Sequence, residues 1–210
     1  NDSLYFAVLT GCLRISKESI FTGLNNVKVL SITDVQFDEY FGFTDEEVQE
    51  MLKYYGISET YEDVKKWYDG YRFGNVEVYC PWDVISYCDK RKDDPLLFPE
   101  SYWSNTSSNT IIRRLLEKAT AVTRSEIERL IAGESITKEV RKELTYKEIY
   151  LSVENVWSVL FTTGYLTLAG IPDRRNPKLL SLRIPNEEIR GIYLSQIQEW
   201  MQDVVRKDTS

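Results

Sequence analysis

The chain of 210 residues contains no histidine and three cysteines. Without histidine it cannot build Ser-His-Asp or Cys-His nucleophilic sites, and it lacks the commonest zinc ligand. Cys12, Cys80 and Cys88 show no Cys-x-x-Cys spacing, which favours reduced thiols in the cytoplasm over a disulfide framework. Asp63-Val64-Lys65 matches half of a metal-dependent nuclease pattern, but it lies inside a predicted helix. We therefore predict no catalytic residue and no metal site in this chain.

The sequence also lacks a phosphate-binding loop, because none of its ten glycines precedes a lysine. Such a loop wraps phosphates with glycine N–H groups and adds a Lys and a Ser or Thr for the γ-phosphate and the metal. The nearest glycine pair, Gly70 and Gly74, has neither the Lys nor the Ser or Thr, and Asp69-Gly70 indicates a turn. We expect the chain by itself to bind no cofactor and to hydrolyse no nucleoside triphosphate.

Positive charge is in deficit, with 26 Lys and Arg against 33 Asp and Glu and a net charge of −7. Such a surface repels nucleic-acid phosphates unless its basic residues gather on one face. No apolar run is long enough to cross a bilayer, and the N-terminus lacks the layout of a signal peptide. The chain begins with Asn1, which suggests a piece of a longer protein.

The N-terminal part predicts a short α/β unit. The apolar run Leu4–Leu9 favours a buried parallel strand, with a helix as the alternative. Ser16 begins a short predicted helix that ends at Gly23, and the alternation over Val27–Ile32 predicts a second strand. The interpretation is a parallel pair joined by a crossover.

The remainder is mainly helical. Thr44 and Glu47 form a capping box and Gly56 stands at the end of the same helix, which makes this the clearest local signal. Further helices are predicted over Thr60–Trp67, from Pro81 through Tyr87, over Asn109–Lys118, from a capping box at Thr123 and Glu126 to Gly133, over Ser152–Phe161, and from Asn186 onward. Strands are predicted over Val76–Tyr79, Tyr165–Leu168 and Leu180–Ile184.

The order helix, hairpin, helix after residue 152 is the outline of a winged-helix module. Its presumed wing carries four basic residues that could contact nucleic-acid phosphates: Arg174, Arg175, Lys178 and Arg183. The acidic balance of the chain opposes this reading, and so do Glu187 and Glu188, whose charges complement the dipole of the last helix. Nucleic-acid binding therefore stands as an alternative.

Several phrases resemble, in the same order, those of the predicted AAA-ATPase-like family that is common in bacteria. The phrases reach from residue 9 to about residue 190, and Cys80 stands where the family usually has Asn. They are Leu9–Ile15, Lys17–Asn26, Glu39–Thr44, Trp67–Gly74, Cys80–Trp82, Tyr102–Ser107, Thr163–Thr167 and Arg183–Glu188.

In that family a P-loop core precedes this region, and a PD-(D/E)xK nuclease-like domain often follows it. The resemblance implies a mixed α/β, mainly α fold in three parts. These are a remnant of the ATPase core at 1–35, a helical lid region at 36–145 and a winged-helix-like domain at 146–210. ATP and Mg would bind to the longer parent protein. The partners would be the upstream P-loop core and the downstream effector domain of the same polypeptide.

The implied function is to sense nucleotide state and to relay it to that effector. By its position after the first strand, Thr10 would act as a polar sensor near the γ-phosphate, and Arg14 would face a phosphate or a neighbouring subunit. A strand-end hydroxyl and a solvated arginine are the alternative interpretations. From other functional classes, the alternatives are a nucleic-acid-binding adaptor acting through the 165–190 hairpin and a protein-interaction module.

Overall fold

The structure, a computed structural model, describes residues 28–103, 110–141, 152–173 and 175–208, together with residues 5, 6, 8, 10 and 11. This part of the chain contains seven α-helices and two small antiparallel sheets, so the predicted mixed α/β, mainly α class is confirmed. The elements are α1 (Asp45–Tyr55), α2 (Tyr61–Tyr68), β1 (Tyr71–Phe73), β2 (Val76–Val78), α3 (Pro81–Arg91), α4 (Thr110–Glu117), α5 (Ala121–Ile131), β3 (Ile136–Glu139), α6 (Val153–Thr162), β4 (Thr167–Leu168), β5 (Leu179–Arg183) and α7 (Glu187–Asp208). None of the helices described has the length and apolar character that crossing a bilayer requires.

Helix α1 forms as its capping residues predict. The Thr44 hydroxyl accepts a hydrogen bond from the Glu47 amide at 3.3 Å, and the Glu47 carboxylate accepts one from the Thr44 amide at 2.8 Å. Gly56 ends the helix in the left-handed conformation with φ of 71°. Val48 and Leu52 form the buried stripe. Each satisfied cap of this kind contributes about 1 kcal/mol.

A β-hairpin follows α2, of which only the second strand is predicted from sequence. Strand β1 pairs antiparallel with β2, with Tyr71 opposite Val78. The segment between Gly70 and Gly74 is therefore a three-residue strand bounded by two glycines of positive φ. A strand this short has too little alternation to be recognised without its partner.

The second sheet has the order β3-β5-β4 and is antiparallel throughout. Strands β4 and β5 are the predicted hairpin, although β4 is shorter than predicted. Strand β3 is not predicted, because Ile136 is the only apolar residue in its sequence Ile-Thr-Lys-Glu. Its pairing with β5, Ile136 opposite Leu182, joins two sides of the boundary predicted between residues 145 and 146.

Two hydrophobic cores organise these elements. The larger core is centred on α6, where Trp157, Leu160 and Phe161 are at most 1% exposed. The smaller core lies between α1, α2 and α3 and contains Tyr68 and Tyr102. Burying a side chain of this size stabilises the fold by about 1.5–3 kcal/mol. The two cores meet where the end of α2 faces the beginning of α7.

Helix α5 begins one turn earlier than predicted. The Thr120 hydroxyl, not that of Thr123, accepts the capping hydrogen bond, from the Thr123 amide at 3.2 Å. Thr123 is buried inside the helix, and Glu126 pairs with Lys138 at 2.7 Å. The predicted capping box is therefore wrong. The Glu126 carboxylate forms an ion pair with Lys138 of β3 and does not bond to a cap amide.

The two N-terminal strands are not seen among the described residues. Tyr5, Phe6 and Val8 are exposed and lie in no helix or strand, and residues 28–32 also lie outside strands. A buried parallel strand needs a neighbouring strand, and neither sheet of the described chain includes these residues. The described residues of these segments form no strand, and the parallel pair stays a prediction. The predicted helix from Ser16 to Gly23 lies outside the described residues.

Candidate functional site

A buried polar junction connects the smaller core to the beginning of α7, and we call it the joint. It contains two carboxyl groups, two backbone segments in close approach and one helix cap. Its members are Asp69, Gly70, Asp83 and residues 101–103 on one side, and Pro185, Asn186 and Glu188 on the other.

The beginning of α7 is determined by local chemistry. The side-chain oxygen of Asn186 accepts a hydrogen bond from the Ile189 amide at 3.1 Å, as expected of a helix N-cap. Ile189 and Tyr193 are fully buried, so this side of α7 faces the core. Glu188 lies on the same side and is 1% exposed, whereas Glu187 is half-buried and pairs with Arg190 at 3.3 Å.

One oxygen of Glu188 holds the loop before α4. Glu188 Oε1 accepts hydrogen bonds from the backbone amides of Tyr102 at 2.6 Å and Trp103 at 2.7 Å. It also accepts one from the hydroxyl of Ser101 at 3.1 Å. Hydrogen bonds to a charged acceptor are the strong ones, each contributing about 1.5–3 kcal/mol. Glu188 thereby fastens residues 101–103 to the first turn of α7.

Asp83 faces Glu188 from the first turn of α3 and is fully buried. Burial, together with the charge of Glu188 and the hydrogen bond between the two groups, raises the pKa of Asp83 to about 8. No described Lys or Arg forms an ion pair with either carboxyl group. Cys80 lies beside Asp83. The pKa of the Cys80 thiol is raised, mainly because the thiol is buried and to a smaller extent because the negative charge of Asp83 lies close to it. Two carboxyl groups buried beside each other disfavour the ionised form of Asp83.

The backbone of the turn after α2 also lies very close to the backbone just before α7. Gly70 has φ of 98°, and a Cβ at this position would lie 2.2 Å from the Pro185 carbonyl oxygen. The side-chain amide of Asn186 donates to the Asp69 carbonyl oxygen at 3.0 Å. The joint therefore requires a glycine in the turn after α2, for space as well as for conformation.

An aromatic contact continues the joint toward the larger core. The rings of Trp103 and Tyr165 lie with centroids 5.1 Å apart, and a Cβ on Gly164 would be 3.2 Å from the Trp103 ring. The amide of Arg72 donates to the Thr167 hydroxyl at 2.8 Å, which connects β1 to β4. The β1–β2 hairpin and the β3-β5-β4 sheet are thus held together.

The joint is suited to fastening and to holding a proton. Its acids face each other inside the protein and do not line a groove. An open groove of about 520 Å³ lies elsewhere, along α1, between Glu46, Lys53 and Tyr61. Within the described ranges, no three Cys, Asp or Glu side chains are grouped as a metal site.

The structure describes one of the two residues interpreted as nucleotide sensors. Thr10 is exposed and lies in no helix or strand. Arg14 lies outside the described residues. Their role in sensing nucleotide stays a prediction.

The three described basic residues of the presumed wing do not form one cluster. Arg175 and Lys178 are exposed in the β4–β5 connection, and Arg174 lies outside the described residues. Arg183 is at the far end of β5, about 17 Å along the strand from Lys178. Its guanidinium approaches Glu77 at 3.5 Å, beside Arg72. Contact of these residues with nucleic acid stays a prediction.

The two carboxyls of the joint are not identified from the sequence. Glu188 is interpreted there as a charge that complements the helix dipole, and Asp83 is not singled out. A signal was nevertheless present. Three of the phrases contain residues of the joint, namely those beginning at Trp67, Tyr102 and Arg183. The phrase beginning at Thr163 contains Tyr165 of the aromatic contact, and the phrase beginning at Cys80 ends just before Asp83.

Comparison with known proteins gives one informative similarity. No protein-family model matches the chain, and no solved structure matches it. The chain is 27% identical over 186 residues to a protein of Azotobacter chroococcum mcd 1 described as an uncharacterised protein in the vnfD 5′ region. The aligned part covers 89% of this chain and 33% of that protein. The chain therefore spans about a third of the length of the relative it matches.

Proposed function

We propose that the chain is the lid and winged-helix-like region of an AAA-like or STAND-like P-loop ATPase of the cytoplasm. Its role would be to sense nucleotide state and to relay it to an attached effector domain, which the resemblance suggests is nuclease-like. The observation that carries this proposal is the joint. Three phrases that resemble the family contain members of the joint, and two more lie directly beside it, so the resemblance coincides with a single physical junction.

The joint supports a relay because it leaves little freedom between the two parts. Three hydrogen bonds to Glu188, the Asn186–Asp69 contact and the Gly70–Pro185 approach act together. A movement of the helical part would therefore carry α7 with it. With 22 residues, α7 is about 33 Å long and would act as a lever. Lid movement of this kind is how enzymes convert ligand state into motion.

Two further observations support the proposal. The β4–β5 hairpin between α6 and α7 has the outline expected of a winged helix, with β3 as a third strand. The Azotobacter relative is about three times the length of the aligned part, which leaves room for a P-loop core and an effector. In that arrangement ATP and Mg would bind to the core of the parent protein.

The first test is to read the complete gene and search upstream of this region for G-x-x-x-x-G-K-[ST]. The second uses the full-length protein with Glu188→Ala, and with Glu187→Ala as the matched control in the same helical turn. We expect Glu188→Ala to retain ATP binding and to lose the ATP-dependent change in protease sensitivity of α7, while Glu187→Ala keeps both. A gene without the loop, or an unchanged response in Glu188→Ala, would refute the relay.

Nucleic-acid binding through the hairpin is the alternative function, and the exposure of Arg175 and Lys178 favours it. Mobility-shift titration at increasing salt tests it, because phosphate contacts weaken steeply with ionic strength. Binding that is salt-sensitive and is weakened by Arg175→Ala and Lys178→Ala, but not by Arg129→Ala on α5, would support this function. No binding at low salt would exclude it.

A protein-interaction module is the other alternative. Phe37, Tyr40 and Phe41 are 50%, 72% and 67% exposed, which is unusual for aromatic side chains close together in sequence. Light scattering measures the oligomeric state directly. A strict monomer at high concentration would count against self-association through these residues.

A further inference from the structure

We propose that the joint is a proton-dependent latch. Closing it takes up one proton, which is held between the carboxyl groups of Asp83 and Glu188, and losing that proton frees residues 101–103 from α7. The latch follows from the burial of the two carboxyl groups beside each other and from the groups around them. It holds whether or not the parent protein binds a nucleotide.

The hydrogen bonds are distributed unevenly over the four carboxyl oxygens. Glu188 Oε1 receives all three donors from residues 101–103. Glu188 Oε2 and both oxygens of Asp83 are buried, and the donor described beside them is the thiol of Cys80, next to Asp83. Two ionised carboxylates in this position would leave these oxygens charged with no donor stronger than a thiol, which is strongly unfavourable in a low dielectric. One shared proton turns one carboxyl into a donor to the other.

Among the described residues, no Lys or Arg side chain is paired with either carboxyl group. Cys80 precedes α3, Tyr68 ends α2, Tyr71 belongs to β1 and Tyr102 belongs to the fastened loop. Burial raises the pKa of each of these groups, so all four are uncharged at neutral pH. The described amides of Tyr102 and Trp103 donate to Glu188, and the first-turn amides of Trp82 and Asp83 donate to the sulfur of Cys80. Asp83 therefore lacks such backbone donors and is the carboxyl group that holds the proton.

The direction of the pH effect follows from the two states of Asp83. In the closed joint its pKa is about 8, and once exposed to water it returns toward its ordinary value of 3.8. Between these values the closed state binds one proton more than the open state. Opening therefore becomes more favourable as pH rises, about tenfold for each pH unit. The stabilisation is complete below the ordinary value and fully lost above about pH 8.

Hydrogen exchange of the Tyr102 and Trp103 amides in the whole chain measures this opening. After correction for the intrinsic rate at each pH, we expect the opening constant to rise about tenfold per pH unit from pH 5 to 8 and then to level off. Asp83→Asn should remove this slope because asparagine does not titrate. Asp89→Asn is the matched control, since Asp89 is an exposed acid on the same helix, and it should leave the slope intact.

The outcome can contradict the proposal in two ways. An opening constant of the native protein that does not change with pH would overturn it, and so would a slope that persists in Asp83→Asn. If Asp83→Asn does not fold, infrared spectroscopy of the native protein decides the matter. The latch requires the carbonyl band of a buried, protonated carboxylic acid at pH 7 that disappears as the pH rises through 8. Absence of that band at pH 7 would equally overturn the latch.

Discussion

Gly70 and Pro185 approach so closely that no side chain fits between them. A Cβ on Gly70 would lie 2.2 Å from the carbonyl oxygen of Pro185, and the φ of Gly70 is 98°. The turn after α2 and the residue before the cap of α7 are therefore in direct backbone contact. This contact determines how near the two cores can come, and the hydrogen bonds of Asn186 and Glu188 form at that distance.

Gly70→Ala is expected to destabilise the protein by about 3 kcal/mol, because it combines a strained φ with a steric overlap that the backbone must relieve. Gly56→Ala is the matched control. Gly56 also has a positive φ, of 71°, but nothing lies within 4 Å of its added Cβ. The Gly56→Ala variant should lose only about 1–2 kcal/mol of its free energy of unfolding. Urea denaturation measures both values, and equal losses would show that conformation alone matters at Gly70.

Asn186 has two separate functions, and two substitutions distinguish them. Asn186→Ala removes the cap of Ile189 and the donor to Asp69, so we expect a loss of about 2 kcal/mol. Asn186→Asp keeps an oxygen for the cap and removes only the donor. Thermal denaturation near pH 6 should therefore show a smaller loss for Asn186→Asp than for Asn186→Ala. The reverse order would mean that the added negative charge in the joint outweighs the cap.

The centre of the larger core provides a test of where stability resides. Leu160 in α6 is fully buried, whereas Leu96 is 91% exposed. Leu160→Ala should cost about 2–5 kcal/mol through lost burial and the cavity it leaves. Leu96→Ala, the same chemical change at the surface, should alter stability by less than about 0.5 kcal/mol. Comparable losses in urea denaturation would contradict the assignment of the core.

Local signals in the sequence predict much of this fold, because their chemistry lies within a few residues. Thr44, Ser152 and Asn186 each accept an N-cap hydrogen bond from the third residue that follows, and each was predicted to begin a helix. Thr123 shows the limit of the method. Two threonines compete for one cap, and the outcome depends on Lys138 of a strand that the sequence does not reveal.

Elements that exist only through pairing escape local prediction. Strand β3 has a single apolar residue, and it is ordered by β5, more than forty residues later in the chain. The joint is missed for the same reason. A glutamate in the first turn of a helix interacts favourably with the helix dipole whether or not its side chain is exposed. The sequence therefore cannot distinguish buried Glu188 from half-buried Glu187. What could be recognised was the set of phrases that meet there.

The pKa of Asp45 is shifted in the opposite direction to that of Asp83, so its network responds to acid and not to base. Burial alone would raise the pKa of Asp45, but hydrogen bonds from Tyr79, Tyr61, Gln49 and Lys65 together lower it to about 2. A lowered pKa means that this network stabilises the fold above the ordinary value of 3.8 and that the stabilisation is lost as pH falls toward 2.

Tyr79→Phe removes one of the two shortest of these hydrogen bonds, 2.6 Å from the Tyr79 hydroxyl to Asp45 Oδ1. We expect the pKa of Asp45 to rise in this variant, as followed by NMR titration of its carboxyl carbon. Acid unfolding should accordingly begin at a higher pH than in the native protein. Tyr54→Phe is the control, because the Tyr54 side chain is 86% exposed and lies outside this network. If both variants titrate like the native protein, the phenol of Tyr79 does not stabilise the charge of Asp45, and the backbone hydrogen bonds between Phe43 and Tyr79 remain as the polar link.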